Sequence, residues 1–365
     1  MTGVIALAAD REGVIYEGAF GVRVGGQKSP MTLDSVVWTA SMTKPVTAVA
    51  AMQLVEQERV ALDESLSEHL PELAALQVLE GFDSAGLPRL RPPRCAITLR
   101  HLLTHTAGFA YPMWNGDLLR FQQNTGAPLV SFTAPLLFDP GERWSYGIGL
   151  DWAGRLIEQL SGQSLEKYFR EHILEPLGMI DTGFVLRPDQ RPRLAGRHRR
   201  QPNGSLQMIE VENPERPTFY SGGGGLYSTG PDYLRFVRML LGGGQLGQAR
   251  LLRAATVAEI ARNQIGELTV GALRSVMPNV SNDVEFFPGL EKKWGLGGMI
   301  NTHTAPTGRS AGSWAWAGIA NTYFWVDPAR GLGGLILTQI SPFGDAGVLD
   351  LFAQFERLVY SVQPQ

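Results

Sequence analysis

A single cysteine, Cys95, serves all 365 residues. It excludes an intrachain disulfide, a CxxC redox pair and a four-cysteine zinc site, and it favours a reducing compartment. A surplus of either charge is also missing, since 32 Lys and Arg stand against 35 Asp and Glu for a formal net charge of −3. No whole-chain basic field therefore draws the protein to nucleic acid or to anionic lipid. No run approaches the roughly 18 uninterrupted apolar residues that a membrane-spanning helix needs. The apolar start at 1–9 is short, carries no basic leader and runs straight into a hairpin pattern, so it does not read as a signal peptide. These absences predict a cytoplasmic protein with no nucleic-acid partner and no membrane partner.

What remains is a chain with 44% hydrophobic and 18% charged residues, ample for a sizeable core. Residues 3–9 and 14–22 read as two strands around the turn Asp10-Arg11-Glu12-Gly13. From Pro45 to Val55 nearly every residue is apolar, broken by Thr47 and Gln53, and that length predicts a buried helix rather than a strand. Helix-like segments at 98–105, 149–161 and 164–174 occupy a middle punctuated by Pro and Gly. Strand-like text returns at 314–326 and 332–340, with a turn at Asp327-Pro328-Ala329-Arg330-Gly331, and an amphipathic helix follows at about 346–361. Strands at both ends around a helical middle predict an α/β (α+β) fold. One domain is assembled from 1–60 and 205–365, with a mainly helical domain, 61–204, inserted.

Several patterns compete for the chemistry. Six arginines fall between Arg187 and Arg200 with Pro188 and Pro192 among them, and with no aromatic stacker nearby they read as a solvated loop. His101 and His105 would share a helix face as metal ligands do, yet Leu102 stands where the metalloprotease pattern wants Glu and no third ligand is evident, so no metal is expected. Gly308-Arg309-Ser310-Ala311-Gly312 matches the G-x-S-x-G elbow, whose fold needs a His after the Ser. The last of the six histidines is His303, so the match reads as coincidence.

S-x-x-K occurs twice, and on a helix its Ser and Lys lie on one face, close enough to exchange a proton. Ser164 of Ser164-Leu165-Glu166-Lys167 reads as a helix N-cap. Ser41-Met42-Thr43-Lys44 has a different setting. The strand-like Val36-Val37-Trp38-Thr39 leads into Ser41 and the buried helix starts just beyond, so the Ser sits where free N–H groups favour developing negative charge. Lys44 lies one turn inside an apolar helix, where desolvation favours the neutral base.

Ala40-Ser41-Met42-Thr43-Lys44-Pro45-Val46-Thr47 resembles the nucleophile segment of the serine β-lactamase and penicillin-binding-protein superfamily, in its class C branch. Arg100-His101-Leu102-Leu103-Thr104-His105-Thr106-Ala107-Gly108-Phe109, Glu175-Pro176-Leu177-Gly178-Met179 and Gly223-Gly224-Gly225-Leu226-Tyr227-Ser228-Thr229 are similar to further stretches of that branch. Gly81-Phe82-Asp83 and Trp316-Ala317-Gly318 look most like its family VIII carboxylesterases. The resemblance implies the superfamily's antiparallel sheet flanked by helices.

It also maps the second motif, Tyr-x-Asn, onto Tyr146 with Ile148 in the place of Asn. The third, Lys-Thr-Gly, falls on Trp316, Ala317 and Gly318. By that resemblance Ser41 is the nucleophile, Lys44 and Tyr146 form the proton-transfer pair, and the backbone N–H groups of Ser41 and Ile319 form the oxyanion hole. Trp316, Ala317, Gly318 and Ile148 become substrate-binding positions. The implied substrate is a small-molecule carboxylic ester, hydrolysed without a cofactor. β-Lactam or D-amino-acid peptide cleavage and transfer to an alcohol are the alternatives, and Ile148 and Trp316 weigh against the lactam because they replace a polar amide and a cation.

Overall fold

The computed structural model describes residues 2–128, 130–211 and 217–362. In chain order it begins with strands β1 (Gly3–Ala9) and β2 (Val14–Gly21) and helix α1 (Thr43–Glu56). Helices α2 (Leu99–Thr104) and α3 (Gly149–Ser161) follow, then strands β3 (Arg197–Arg200) and β4 (Leu206–Ile209) and helix α4 (Gly230–Leu241). The last part holds β5 (Lys292–Trp294), β6 (Met299–Asn301), β7 (Trp314–Gly318), β8 (Thr322–Asp327), β9 (Leu332–Leu337) and β10 (Ile340–Ser341). Helix α5 (Ala346–Val362) ends it.

The main sheet among the described residues runs β5-β6-β7-β8-β9-β1-β2, antiparallel throughout. Its closure depends on the two chain ends meeting, with Ile5 opposite Leu337 and Ala9 opposite Gly333. The predicted β1–β2 turn is held by Asp10, whose Oδ1 accepts from the N–H groups of Glu12 and Gly13, each at 2.8 Å.

Side chains alternate across the sheet, and each face takes its own helix. Tyr323 and Trp325 of β8 meet Phe352 of α5, at ring-centroid separations of 4.9 and 5.8 Å. Phe324, one residue over, faces Tyr233 of α4 at 5.6 Å. Helix α1 is apolar nearly all round and is buried from Thr43 to Leu54, the state such a helix requires.

One expectation needs correcting. Residues 314–326 are two strands, not one, joined by a tight turn in which Asn321 adopts φ +57°. Asn tolerates this left-handed backbone, and its side chain locks the turn by donating to the carbonyls of Ile340 and Pro342, both at 2.8 Å. A second correction concerns the basic stretch. Arg197–Arg200 is a strand, β3, paired with β4 and β10 rather than a solvated loop, while Arg187 and Arg193 are held by Asp181 and Asp189.

Candidate active site

The turn that presents Ser41 is strained and pinned. Ala40 holds φ +50°, a left-handed conformation that costs a residue with a Cβ about 1–2 kcal/mol. Thr43 Oγ1 donates to the Ala40 carbonyl at 2.7 Å and accepts from the Leu226 N–H, while Thr322 Oγ1 at the start of β8 donates to the Thr39 carbonyl at 3.1 Å. Such strain persists only where its surroundings over-determine it. A short 3-10 turn, Ala40–Met42, then runs directly into α1, placing Ser41 at the helix start, where backbone N–H groups lack intrahelical partners.

One turn on, Lys44 is fully buried. Its Nζ donates to Ser41 Oγ at 3.1 Å, to the Tyr111 hydroxyl at 3.1 Å and to the Gly223 carbonyl at 2.6 Å. Three oxygens thus surround the Lys44 nitrogen. The Gly223 loop is itself held by Asp151 of α3, whose Oδ1 accepts from Ser221 Oγ at 2.6 Å and from the Gly223 N–H at 3.0 Å. Burial pushes the Asp151 carboxyl up, and the Lys44 charge and these hydrogen bonds oppose it. A Cβ at Gly223 would lie 2.3 Å from Asp151 Oδ2, so only glycine lets the loop come this close.

Tyr146 is beside Lys44 but not through its hydroxyl. Lys44 Nζ lies 4.8 Å from the Tyr146 ring centroid, and the Tyr146 hydroxyl accepts from Trp316 Nε1 at 2.9 Å. The hydroxyl that meets the lysine is that of Tyr111, a residue the sequence reading passed over two positions beyond a quoted motif. Burial pushes Tyr111 well above the ordinary phenol value, with Asp151 and Tyr146 adding to it, so Tyr111 stays protonated near neutrality. The two tyrosines are tied together by the Tyr111 N–H donating to the Tyr146 carbonyl at 3.1 Å.

These groups open on a cavity of about 430 Å³ that has Trp38, Tyr111, Trp114, Trp316 and Phe343 among its lining. Ser41, Tyr146, Ala317 and Ile319 line it as well, so the structure gathers most of the predicted site. Two predicted substrate contacts are not part of that lining. Ile148 is buried at the start of α3, its apolar side chain taken into the core. Gly318 acts through its missing side chain instead: a Cβ there would lie 2.2 Å from the Thr39 carbonyl, and its absence lets β7 abut the Ser41 turn.

The competing patterns have structural posts. Ser164 caps the short helix Leu165–Phe169 by accepting from the Lys167 N–H. His101 and Thr98 form a capping box at the start of α2, and His105 ends that helix in a left-handed turn. Ser310 lies in the loop between β6 and β7, where Arg309 is buried against Glu356 of α5. No helix among the described residues is long and apolar enough to cross a membrane.

Residues 1–357 match the family described as Beta-lactamase. The chain is 33% identical over 387 residues to a monacolin J acid methylbutanoyltransferase of Aspergillus terreus, spanning 100% of this chain and 92% of that one. It is 32% identical over 386 residues to a lovastatin esterase of Penicillium rubens, spanning 99% and 94%. Among solved structures, a mutant of the Aspergillus terreus simvastatin synthase LovD superposes with a TM-score of 0.87 at 33% identity, over 99% of this chain and 90% of that one. The chain therefore belongs to the β-lactamase family, in the company of acyltransferases and esterases.

Proposed function

We propose that this protein is a serine carboxylesterase that passes the acyl group of a small ester through an acyl-enzyme on Ser41 to water or to an alcohol. The observation that carries the reading is the contact between Lys44 Nζ and Ser41 Oγ at the start of α1, where Ser41 lines the cavity. Ser41 Oγ attacks the ester carbonyl and gives up its proton to the Lys44–Tyr146 pair. The negative charge that develops on the carbonyl oxygen is met by the backbone N–H groups of Ser41 and Ile319, each such donor contributing about 3–4 kcal/mol. The leaving alcohol takes the proton, and water or a second alcohol then releases the acyl group by the same steps in reverse order.

The relatives support transfer as well as hydrolysis, since some are named as acyltransferases and one as an esterase. Within the family we place the chain nearest the family VIII carboxylesterases, on Trp316-Ala317-Gly318. Short acyl groups suit a cavity of this volume. A β-lactam carries its carboxylate two bonds from the scissile nitrogen, beside β7, where Trp316 offers an indole and no cation.

The test is acylation. Incubation with p-nitrophenyl butyrate should release p-nitrophenolate and add one butanoyl mass to the Ser41 peptide. An added alcohol should partition the product toward a new ester. Ser41→Ala should abolish all three signals, and nitrocefin should turn over slower than the ester by about a hundredfold or more, the worth of one lost charge-assisted contact or more. Full activity in Ser41→Ala, or nitrocefin turnover equal to that of the ester, overturns the reading.

A further inference from the structure

Strand β3 is a row of basic residues whose two faces are treated differently. On one face His198 is buried, with its Nε2 accepting from the Gly25 N–H at 2.9 Å, and Arg200 pairs with the buried Asp345. On the other face Arg197 and Arg199 line the same cavity as Ser41. Their strand neighbours point the same way. Ile209, opposite Arg197 on β4, and Ser341, beside Arg199 on β10, line it too.

Neither of these two arginines has a carboxylate partner among the described residues. Arg197 is half-buried, its guanidinium lying 4.4 Å from the Trp38 ring centroid. Trp38 is fixed in turn, donating from Nε1 to the Gly224 carbonyl at 2.7 Å, one residue from the carbonyl that holds Lys44. A guanidinium taken partly out of water without a counter-charge is costly, and burial pushes Arg197 below its ordinary value. Elsewhere in this region the arginines are neutralised, Arg187 and Arg193 by Asp181 and Asp189 and Arg200 by Asp345. Arg197 and the exposed Arg199, which face the cavity, have no such carboxylate among the described residues.

We propose that Arg197, assisted by Arg199, binds a carboxylate carried by the substrate at a distance from its scissile ester, so that the preferred substrates are esters bearing a free acid. The planar guanidinium meets a carboxylate through two parallel hydrogen bonds, and its other face is already stacked on Trp38. A carboxylate carries one charge and is stripped of water at less cost than a phosphate dianion. This suits a single half-buried arginine flanked by an indole. The inference rests on the reading of Ser41 as the acylated residue, and it assigns the cation that Trp316 fails to supply to a different strand.

The carboxylate could sit on the acyl or on the alcohol side, and two probes separate these. p-Nitrophenyl hydrogen glutarate carries it on the acyl group, with p-nitrophenyl butyrate as the neutral comparison. meta-(Butanoyloxy)benzoate carries it on the alcohol, with phenyl butyrate as comparison. The protein should prefer at least one acid over its neutral partner in kcat/KM. The double variant Arg197→Gln/Arg199→Gln should cut that preference by about tenfold to a hundredfold, the range for a hydrogen bond to a charged group. Arg274→Gln, which removes an exposed charge that is paired with Asp283 and is not part of the cavity lining, should leave the preference as it was.

Binding to the Ser41→Ala protein, followed by calorimetry, reads the same site without turnover. There the acid should bind more tightly than its neutral partner, and only while Arg197 and Arg199 are present. Charge-dependent binding without turnover of any ester would sustain this site while ending the esterase reading. Equal handling of acid and neutral esters in both assays, or a preference that survives the double variant, overturns the proposal.

Discussion

At the residue scale the site distinguishes two tyrosines that the sequence could not. Tyr111 bonds Lys44 through its hydroxyl, but burial holds it in the neutral phenol form. It can orient the lysine and cannot readily take a proton. Tyr146 lies with its ring against the lysine and its hydroxyl on Trp316, and both Tyr146 and Trp316 line the cavity. On the proposed roles of Lys44 and Tyr146 as a proton-transfer pair, Lys44→Ala, Tyr146→Phe and their double variant should fall to a similar floor in kcat, since groups that share one proton act as a unit. Tyr111→Phe should cost only about tenfold, the worth of one hydrogen bond of roughly 1–1.5 kcal/mol. Steady-state kinetics on p-nitrophenyl butyrate separates the two. If Tyr111→Phe drops to the floor and Tyr146→Phe does not, the proton-transfer role moves to Tyr111.

At the scale of elements, the Ser41 turn works only because β7 and β8 press against it. Gly318→Val should force β7 away from the Thr39 carbonyl, since the added Cβ has 2.2 Å to occupy against backbone. Ile319, next along the chain, would move with it. The expected outcome is a loss of more than about a hundredfold in kcat/KM, the scale of one oxyanion donor, with about 1–3 kcal/mol of stability lost to overpacking. Ester kinetics and urea unfolding on the same sample check it. Activity within a few-fold of the parent protein would show that the hairpin does not position the site.

The same hairpin shows where sequence legibility stops. The strands at 3–9 and 14–21 and the helix at 43–56 follow from local periodicity and from turn chemistry at Asp10, and they stand close to where the pattern puts them. The turn at 319–321 carries no Asn-Gly or Asp-Gly pair, so a continuous β-rich run hid it. Tyr111, Asp151 and Arg197 stand on three separate segments and converge on the cavity only through tertiary packing. No spacing rule reaches that far. Ser41 and Lys44 were legible because one helical turn joins them.

At the scale of the whole molecule, folding buries histidines that prefer to be neutral. His101, His105 and His198 are all pushed below the ordinary imidazole value, first of all by burial, His105 most strongly, with the Lys44 charge adding to its shift. His105 accepts at Nδ1 from the Gly147 N–H, while its buried Nε2 has no hydrogen-bond partner among the described residues. In the unfolded chain each takes up a proton near pH 6.5, whereas in the folded protein each resists it. Unfolding then binds protons, so stability is fully present above that value and declines as pH falls below it, by up to about 1.4 kcal/mol per pH unit for each group. Carboxylates held down by an arginine act in a lower window, whereas burial pushes Asp151, Asp232 and Glu356 up, so that these three oppose the histidines as pH falls. Asp139, held at about 2 by the Arg91 guanidinium, gives up its contribution only as pH drops below the ordinary carboxylate range. Urea midpoints should fall between about pH 7.5 and about pH 5.5, with the three histidines outweighing the buried carboxylates. Because His105 packs against Tyr146 and Trp294, at ring-centroid separations of 4.7 and 5.0 Å, ester hydrolysis should become less resistant to urea over the same interval. A midpoint that stays level or rises across it would mean that these histidines do not outweigh the buried carboxylates.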